Sequence, residues 1–268
     1  MTDWNDAYAN GAHIEGAADF PPRWAEKAAA FRAAQGDSAK LDLPYGAAER
    51  QKFDLFSPAA EAKGLCIFVH GGFWRAFDKS RWSHLAAGPL AHGWAVAMPS
   101  YTLAPEARIS EITQEIGAAI TSAAATTSGP IRLSGHSAGG HLVTRMLCED
   151  APLAAEVAQR IVNTVSLSGL HDLRPLLRTD MNADFRMDAE EATRESAALL
   201  TPRQGTRVTC WVGADERPEF VRQNALLANI WTGLGAETKN VEEGGKHHFD
   251  VIDGLEDPHS ALCRALLA

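Results

Sequence analysis

Residues 131–143 have the sequence IRLSGHSAGGHLV, and this stretch decides the predicted fold. A short apolar run typical of a buried strand leads directly into Gly135-His136-Ser137-Ala138-Gly139, and a helical pattern follows. This is the G-x-S-x-G pattern of a sharp strand-to-helix turn, whose glycines let neighbouring backbones approach closely. We therefore expect the turn to present Ser137 as a nucleophile and to leave the Ala138 amide free to donate to an oxyanion.

Short β-rich runs alternate with longer helical patterns on both sides of this turn. Alternation of this kind predicts an α/β fold in which helices flank a mostly parallel central sheet. The predicted strands are residues 52–56, 65–70, 95–99, 131–134, 161–167, 207–212 and 238–242. The predicted helices are residues 109–125, 138–149, 218–234 and 258–267.

Two segments depart from this alternation. Residues 1–40 are rich in alanine and have a helical pattern around 24–34, with Pro21 and Pro22 just ahead of it. Residues 173–200 are polar, carry charges throughout, and interrupt the strand-helix order between two strands. We predict a single domain over residues 1–268, with a small cap formed by the N-terminal helical arm and residues 173–200.

The charge balance and the apolar runs exclude several kinds of partner. The formal net charge is -9, and no cluster of Lys and Arg lies on a predicted helix, which argues against nucleic acid. No apolar run approaches the roughly 18 residues of a membrane span, which argues against a membrane partner. Residues 1–10 include Asp3 and Asp6 and lack the pattern of a secretory signal. We predict a cytoplasmic protein that acts on a small molecule, and a homodimer is compatible with the sequence.

A second glycine pair follows the predicted strand 65–70. Residues 70–74 are His-Gly-Gly-Phe-Trp and resemble the H-G-G loop whose backbone amides complete the oxyanion hole of esterases. We therefore predict an oxyanion hole formed by Gly71, Gly72, Phe73 and Ala138.

Aromatic and imidazole side chains beside these two loops are candidates for the substrate pocket. We predict that Trp74 and His136 line it, with Phe73 as the alternative aromatic residue. His70, at the end of its strand, is expected to order the loop by hydrogen bonding and not to transfer protons.

The base is expected near the end of the chain, because the order in this fold is nucleophile, acid, base. Residues 246–250 are Lys-His-His-Phe-Asp, and Gly244 and Gly245 precede them in a loop that can turn back to the nucleophile. His248 lies nearer the next helical segment and is the predicted base, and His247 is the alternative.

The acid is expected in the loop after the predicted strand 207–212. Two carboxylates lie there, and Glu216 is three residues after Gly213, which is the usual spacing for the acid in hydrolases of this fold. Asp215 is the shorter and commoner residue type, and it stays the alternative. The predicted catalytic triad is Ser137, Glu216 and His248.

Taken together, these motifs resemble kynurenine formamidase (arylformamidase) and its bacterial relatives among the serine esterases of the α/β-hydrolase superfamily. The resemblance covers most of the chain and is carried by residues 70–74, 135–139, 168–173, 218–220 with 222–223, and 248–252. It implies that Glu216 is the acid, where the eukaryotic enzymes have Asp, and that His248 is the base.

The resemblance implies hydrolysis of an N-formyl arylamine such as N-formylkynurenine, through an acyl-enzyme and without a metal or organic cofactor. A carboxylesterase acting on short-chain acyl esters is the main alternative, because the same groups serve either bond. A catalytically silent binding module is disfavoured because Ser137, His248 and an acid are all present in order.

Overall fold

The computed structural model describes residues 2–268, and Met1, the first residue of the predicted arm, lies outside them. Within the described residues no helix is both long and apolar enough to cross a membrane. The strands are β1 (Ala39–Pro44), β2 (Lys52–Phe56), β3 (Leu65–Val69), β4 (Ala95–Pro99), β5 (Ile131–His136), β6 (Ile161–Leu167), β7 (Arg207–Gly213) and β8 (Glu237–Glu243).

The helices alternate with these strands over most of the chain. They are α1 (Trp4–Ala7), α2 (Phe20–Gln35), α3 (Ala87–Ala91), α4 (Ile109–Ala124), α5 (Ala138–Arg145), α6 (Ala155–Ala158), α7 (Asn182–Phe185), α8 (Ala189–Arg194), α9 (Pro218–Gly233) and α10 (Ala261–Leu267). Short 3₁₀ turns include Asn10–His13, Ser83–Ala86, Arg174–Arg178 and Ala197–Leu199.

The strands form one sheet in the order β1-β2-β4-β3-β5-β6-β7-β8. The pairs β1–β2 and β2–β4 are antiparallel, and every later pair is parallel. This confirms the predicted fold class, a mostly parallel sheet flanked by helices. In a parallel sheet the loops after the strands gather at one edge, which is where the predicted site residues lie.

Helices cover both faces of this sheet. Along β3, Leu65, Ile67 and Val69 join one apolar cluster, and Cys66 and Phe68 join another. Successive side chains of a strand point to opposite faces, so both faces of β3 are buried. Apolar residues of α4 and α5 belong to the first cluster, and those of α2 and α10 belong to the second.

The main departure from the predicted elements is β1, which begins inside the segment assigned to the arm. Its residues are exposed or half-buried, so it lacks the apolar run that marks a central strand. Its pairing with β2 is also interrupted between Lys40 and Leu43, where Asp42 has a φ of 57°. The arm helix α2 is longer than predicted and includes Pro21 and Pro22 in its first turn.

The two segments predicted to form a cap contact each other. The Asp180 amide, within residues 173–200, donates a 2.8 Å hydrogen bond to Asn5 Oδ1 in the arm. Glu191, farther along the segment 173–200, forms an ion pair through its buried carboxylate with Arg108, which lies at the start of α4. The arm and this segment are therefore held to each other and to the helices beneath.

Candidate active site

Ser137 lies at a sharp turn between β5 and α5. Its backbone has a φ of 55° and a ψ of -116°, a conformation that residues other than glycine rarely adopt. The turn is fixed by hydrogen bonds, because the Ser137 amide donates to the carbonyl oxygen of Leu167 (2.8 Å) and its carbonyl accepts from the His141 amide (3.1 Å). Strained backbone that is held in this way is typical of a functional position.

The glycines on either side of Ser137 are required by close backbone contacts. A Cβ at Gly139 would lie 1.9 Å from the carbonyl oxygen of Val69, at the end of β3. A Cβ at Gly135 would lie 2.2 Å from the carbonyl oxygen of Gly139. Both distances are far below van der Waals contact, so the tight turn beside β3 excludes any side chain at these two positions.

The imidazole of His248 is held by the carboxylate of Glu216. His248 Nδ1 donates to Glu216 Oε2 over 2.6 Å, and both side chains are buried. The other carboxylate oxygen, Oε1, accepts from Ser168 Oγ (2.5 Å) and from the Gly213 amide (2.9 Å). With both oxygens occupied, the carboxylate fixes the ring, and a proton on Nδ1 leaves Nε2 as the basic nitrogen.

The two alternatives left open by the sequence lie elsewhere. Asp215 is exposed. His247 Nδ1 lies 3.1 Å from Asp250 Oδ1, so this imidazole pairs with its own loop. The structure therefore brings Glu216 and His248 together and leaves Asp215 and His247 outside the pair.

A cavity of about 410 Å³ joins several of the predicted residues. Its wall includes Gly72, Phe73, His136, Ser137 and His248. Within residues 2–268, Ser137 Oγ has no hydrogen-bond partner. The serine hydroxyl and the imidazole thus share one cavity. The aromatic residues of its wall are Tyr8, Trp24, Phe73, Phe77, Trp82 and Phe249.

The loop after β3 offers backbone amides to this cavity. Gly72, Phe73 and Trp74 have φ values of 112°, 49° and 54°, so three successive residues take left-handed conformations. Over the described chain, the amides of Gly72, Phe73 and Ala138 donate to no protein acceptor. Ala138 also begins α5, where the helix dipole favours negative charge. These amides can stabilise an oxyanion next to Ser137.

Gly71, the fourth residue predicted for the oxyanion hole, packs against the turn that carries Ser137 and is not among the residues of the cavity wall. A Cβ at Gly71 would lie 2.8 Å from the carbonyl oxygen of His136 and 3.0 Å from Ser137 Cβ. Its position lets the loop after β3 pack closely on the turn that carries the serine.

The arrangement matches a known family. A family model described as the alpha/beta hydrolase fold matches residues 66–248. The chain belongs to the α/β-hydrolase family.

Within this family, the chain is similar in sequence to kynurenine formamidases. The kynurenine formamidase of Danio rerio is 26% identical over 291 residues, covering 100% of this chain and 98% of that protein. The kynurenine formamidase of Salmo salar is 29% identical over 238 residues, covering 85% and 80%. These relatives confirm the predicted resemblance: the chain is a kynurenine formamidase-like α/β-hydrolase.

A solved structure is more similar still. A crystal structure from Silicibacter sp. tm1040, described as that of a candidate thioesterase, is 54% identical. It covers 100% of both chains with a TM-score of 0.95. The whole fold, including the arm, is therefore shared with that protein.

Two of the buried histidines near this site, His136 and His70, hydrogen-bond to backbone carbonyl groups. His136 Nε2 donates to the carbonyl oxygen of His248 over 2.9 Å. Burial is the main cause that holds the pKa of His136 well below its ordinary value, and the neighbouring His248 lowers it further, so this ring stays neutral. Burial likewise lowers the pKa of His70 to about 4, and His70 Nδ1 donates to the Gly71 carbonyl over 2.7 Å. His136 lines the cavity, and it also holds the backbone of His248 through this hydrogen bond.

The structure does not place Trp74 in the pocket. Its side chain is fully buried and meets the rings of His141 (5.2 Å between centroids) and Phe185 (5.6 Å) edge-on, outside the cavity wall. Phe73, the alternative, lines the cavity. The left-handed turn at both residues directs neighbouring aromatic side chains to different places, which the sequence pattern does not reveal.

The position of Trp74 in the core can be tested by measuring the stability of a variant. We expect Trp74→Ala to lower the free energy of unfolding by about 3–5 kcal/mol, because a large ring is removed from a packed core. Urea unfolding followed by circular dichroism measures the loss. Leu234→Ala is the control, since Leu234 is 51% exposed, and it should change the same quantity by less than about 0.5 kcal/mol. An equally small change for Trp74→Ala would contradict the core position.

Residues of the arm contribute to the cavity wall, and the sequence did not identify which ones. Tyr8 lies between Phe73 and Phe220 and donates a 2.8 Å hydrogen bond from its hydroxyl to Glu219 Oε1. Burial raises the pKa of Tyr8 above its ordinary value, so the hydroxyl keeps its proton. Asn10 also lies in the wall. Tyr8 follows the short helix α1, and Asn10 begins a 3₁₀ turn. Neither element has a periodic pattern, so nothing in the sequence marked these two residues.

Proposed function

We propose that this hydrolase cleaves a formyl group from the nitrogen of an aryl amide, as its kynurenine formamidase relatives are named for doing, through an acyl-enzyme at Ser137. The observation that carries the proposal is the shared cavity, whose wall contains both Ser137 and His248, the imidazole bonded to the Glu216 carboxylate. A nucleophile, a base and an orienting acid are the groups that acyl transfer requires.

The first half of the reaction forms the acyl-enzyme. His248 Nε2 takes the hydroxyl proton as Ser137 Oγ attacks the formyl carbon, and the carbonyl oxygen becomes an oxyanion. The amides of Gly72, Phe73 and Ala138 stabilise that oxyanion. Glu216 stabilises the imidazolium that forms.

The C–N bond then breaks. The imidazolium of His248 gives its proton to the departing nitrogen, and the arylamine leaves with the formyl group still bound to Ser137. A water molecule, deprotonated by His248, attacks the formyl ester in turn. Formate leaves, Ser137 regains its proton, and one water has been consumed for each amide.

The composition of the cavity wall supports an aryl leaving group. Six aromatic side chains line a volume of about 410 Å³, which is within the range of sites for small organic ligands. Aromatic walls favour a flat ring through stacking and edge contacts. A formyl group is the smallest acyl group and requires little room beside Ser137, so most of the volume serves the leaving group.

Hydrolysis of a short acyl ester or thioester is the second candidate function. It is favoured by the 54% identity to a structure described as that of a candidate thioesterase. The same serine, base and amides would act on a carbonyl carbon bonded to oxygen or sulfur.

Paired assays distinguish these functions. We expect kcat/KM for N-formylkynurenine to exceed that for p-nitrophenyl acetate and for S-phenyl thioacetate, although the latter two have better leaving groups. Formate release measures the rate with N-formylkynurenine, and absorbance measures the rates with the ester and the thioester. Ser137→Ala is the blank for each substrate. Rapid cleavage of the ester or thioester with N-formylkynurenine left intact would refute the formamidase proposal.

A further inference from the structure

Several polar groups in the wall of the catalytic cavity have no partner in the protein. Asn10 is only 5% exposed, and over residues 2–268 neither its Nδ2 nor its Oδ1 forms a hydrogen bond. The indole nitrogens of Trp24 and Trp82 are likewise buried and unpaired over the described chain. All three side chains line the same cavity as Ser137.

Unpaired buried amides are uncommon because each one loses its hydrogen bonds to water. Other polar groups of the arm are satisfied: Asn5 Oδ1 accepts from the Asp180 amide, the Tyr8 hydroxyl donates to Glu219, and His13 pairs with Asp6. Over the described residues, the unpaired buried polar side chains of the arm are Asn10 and Trp24, and both line the catalytic cavity.

Asn10 also lies close to the catalytic groups. It borders a second, smaller cavity of about 100 Å³ whose wall includes Glu216 and His248, as well as the larger cavity that contains Ser137. Ion pairing of Asp6 with Arg217 ties the arm to the loop that follows Glu216. Asn10 therefore lies at the boundary between the cavity beside the base and the cavity that contains the aromatic residues.

We infer that Asn10 is a specificity-determining residue that selects leaving groups bearing a carbonyl acceptor. Its Nδ2 donates to a ketone or carboxyl oxygen attached to the aryl ring, and the indole N–H groups of Trp24 and Trp82 are further donors to the same substituent. The substrate class is an acylated aryl amine or phenol that carries a carbonyl substituent. That the substrate is an amide rests on the proposed function. The role of Asn10 in recognising a carbonyl substituent does not.

The test compares two formamides of nearly equal shape. N-(2-acetylphenyl)formamide has a ketone oxygen, and N-(2-ethylphenyl)formamide lacks it. In Asn10→Leu we expect kcat/KM to fall about tenfold for the acetyl compound, the effect of one lost hydrogen bond, and less than about twofold for the ethyl compound. The melting temperature should stay the same or rise, because a buried unpaired amide has been removed. Equal losses on both substrates, or no loss on either, would overturn the inference.

Conservative variants separate binding from structure. Asn10→Ser keeps a donor and should recover part of the preference for the acetyl compound. Trp24→Phe keeps an aromatic ring but removes the indole N–H, and it should lower kcat/KM for the acetyl compound only. Trp94→Phe is the matched control, because Trp94 is buried outside the cavity wall and packs on Arg132, and its selectivity should match the wild type. If Trp94→Phe and Trp24→Phe shifted selectivity equally, the effect would be a general one and the assigned role of Trp24 would fail.

Acetate esters of the corresponding phenols, with the same acetyl and ethyl substituents on the ring, keep the inference testable without amide hydrolysis. If the wild type leaves both formamides and N-formylkynurenine intact, the formamidase proposal fails, and 2-acetylphenyl acetate and 2-ethylphenyl acetate replace the formamides. The same selective loss in Asn10→Leu then supports the role of Asn10. Equal rates in wild type and variant on the acetyl ester would refute it.

Discussion

Glu216→Gln is expected to lower kcat by about 10⁴-fold while the protein stays folded. Glu216 Oε2 accepts the proton of His248 Nδ1 over 2.6 Å, and this fixes the tautomer in which Nε2 can act as the base. An amide at this position can donate to Nδ1, which moves the imidazole proton to Nε2 and removes its basicity. Steady-state kinetics on the best substrate of the paired assays, with circular dichroism for folding, measure the effect.

Asp215→Asn is the matched control for this prediction. The side chain is adjacent in sequence and carries the same charge, but it is exposed and lies outside the contact with His248. Its kcat should change by less than about twofold. A large loss in Asp215→Asn together with near-normal activity in Glu216→Gln would assign the acid to Asp215 and contradict the mechanism.

Ser137→Ala is expected to lower kcat by about 10⁵- to 10⁶-fold, because the acyl-enzyme can no longer form. Ser134→Ala is the control. Ser134 is also buried on β5, three residues earlier, and its hydroxyl makes only a 3.4 Å contact with the carbonyl oxygen of Ile67. We expect its kcat to stay within about threefold of wild type. Near-normal activity in Ser137→Ala would show that another group performs the attack.

Most strands that the sequence predicted have continuous apolar runs; the exception is the polar edge strand β8. Strands β3, β4 and β5 lie inside the sheet, and burial on both faces requires apolar residues at nearly every position. Strand β1 lies at the edge and is largely exposed, so neither alternation nor an apolar run marks it. Its interruption at Asp42 weakens the pattern further.

The candidate catalytic residues could be singled out from the sequence because each belongs to a loop whose local sequence is constrained. Ser137 requires glycines on both sides. Glu216 lies three residues after Gly213 and accepts a hydrogen bond from the Gly213 amide. The choice between Glu216 and Asp215 needed coordinates, because two adjacent carboxylates differ only in the direction of their side chains.

The cavity wall could not be predicted because it depends on distant contacts. Tyr8 and Asn10 approach the cavity through pairs with residues more than 200 positions away, such as Tyr8 with Glu219 and Asp6 with Arg217. Trp74 appeared equivalent to Phe73 in sequence, yet it packs into the core. Long-range pairing of this kind leaves no periodic signal.

Covalent labelling tests the role of Ser137 most directly. The protein is incubated with a fluorophosphonate, and intact mass followed by peptide mapping locates the adduct. The mechanism predicts one adduct per chain, on Ser137 in the peptide that joins β5 to α5, with activity lost in proportion to labelling. An adduct on another residue, or full activity in protein labelled at Ser137, would contradict it.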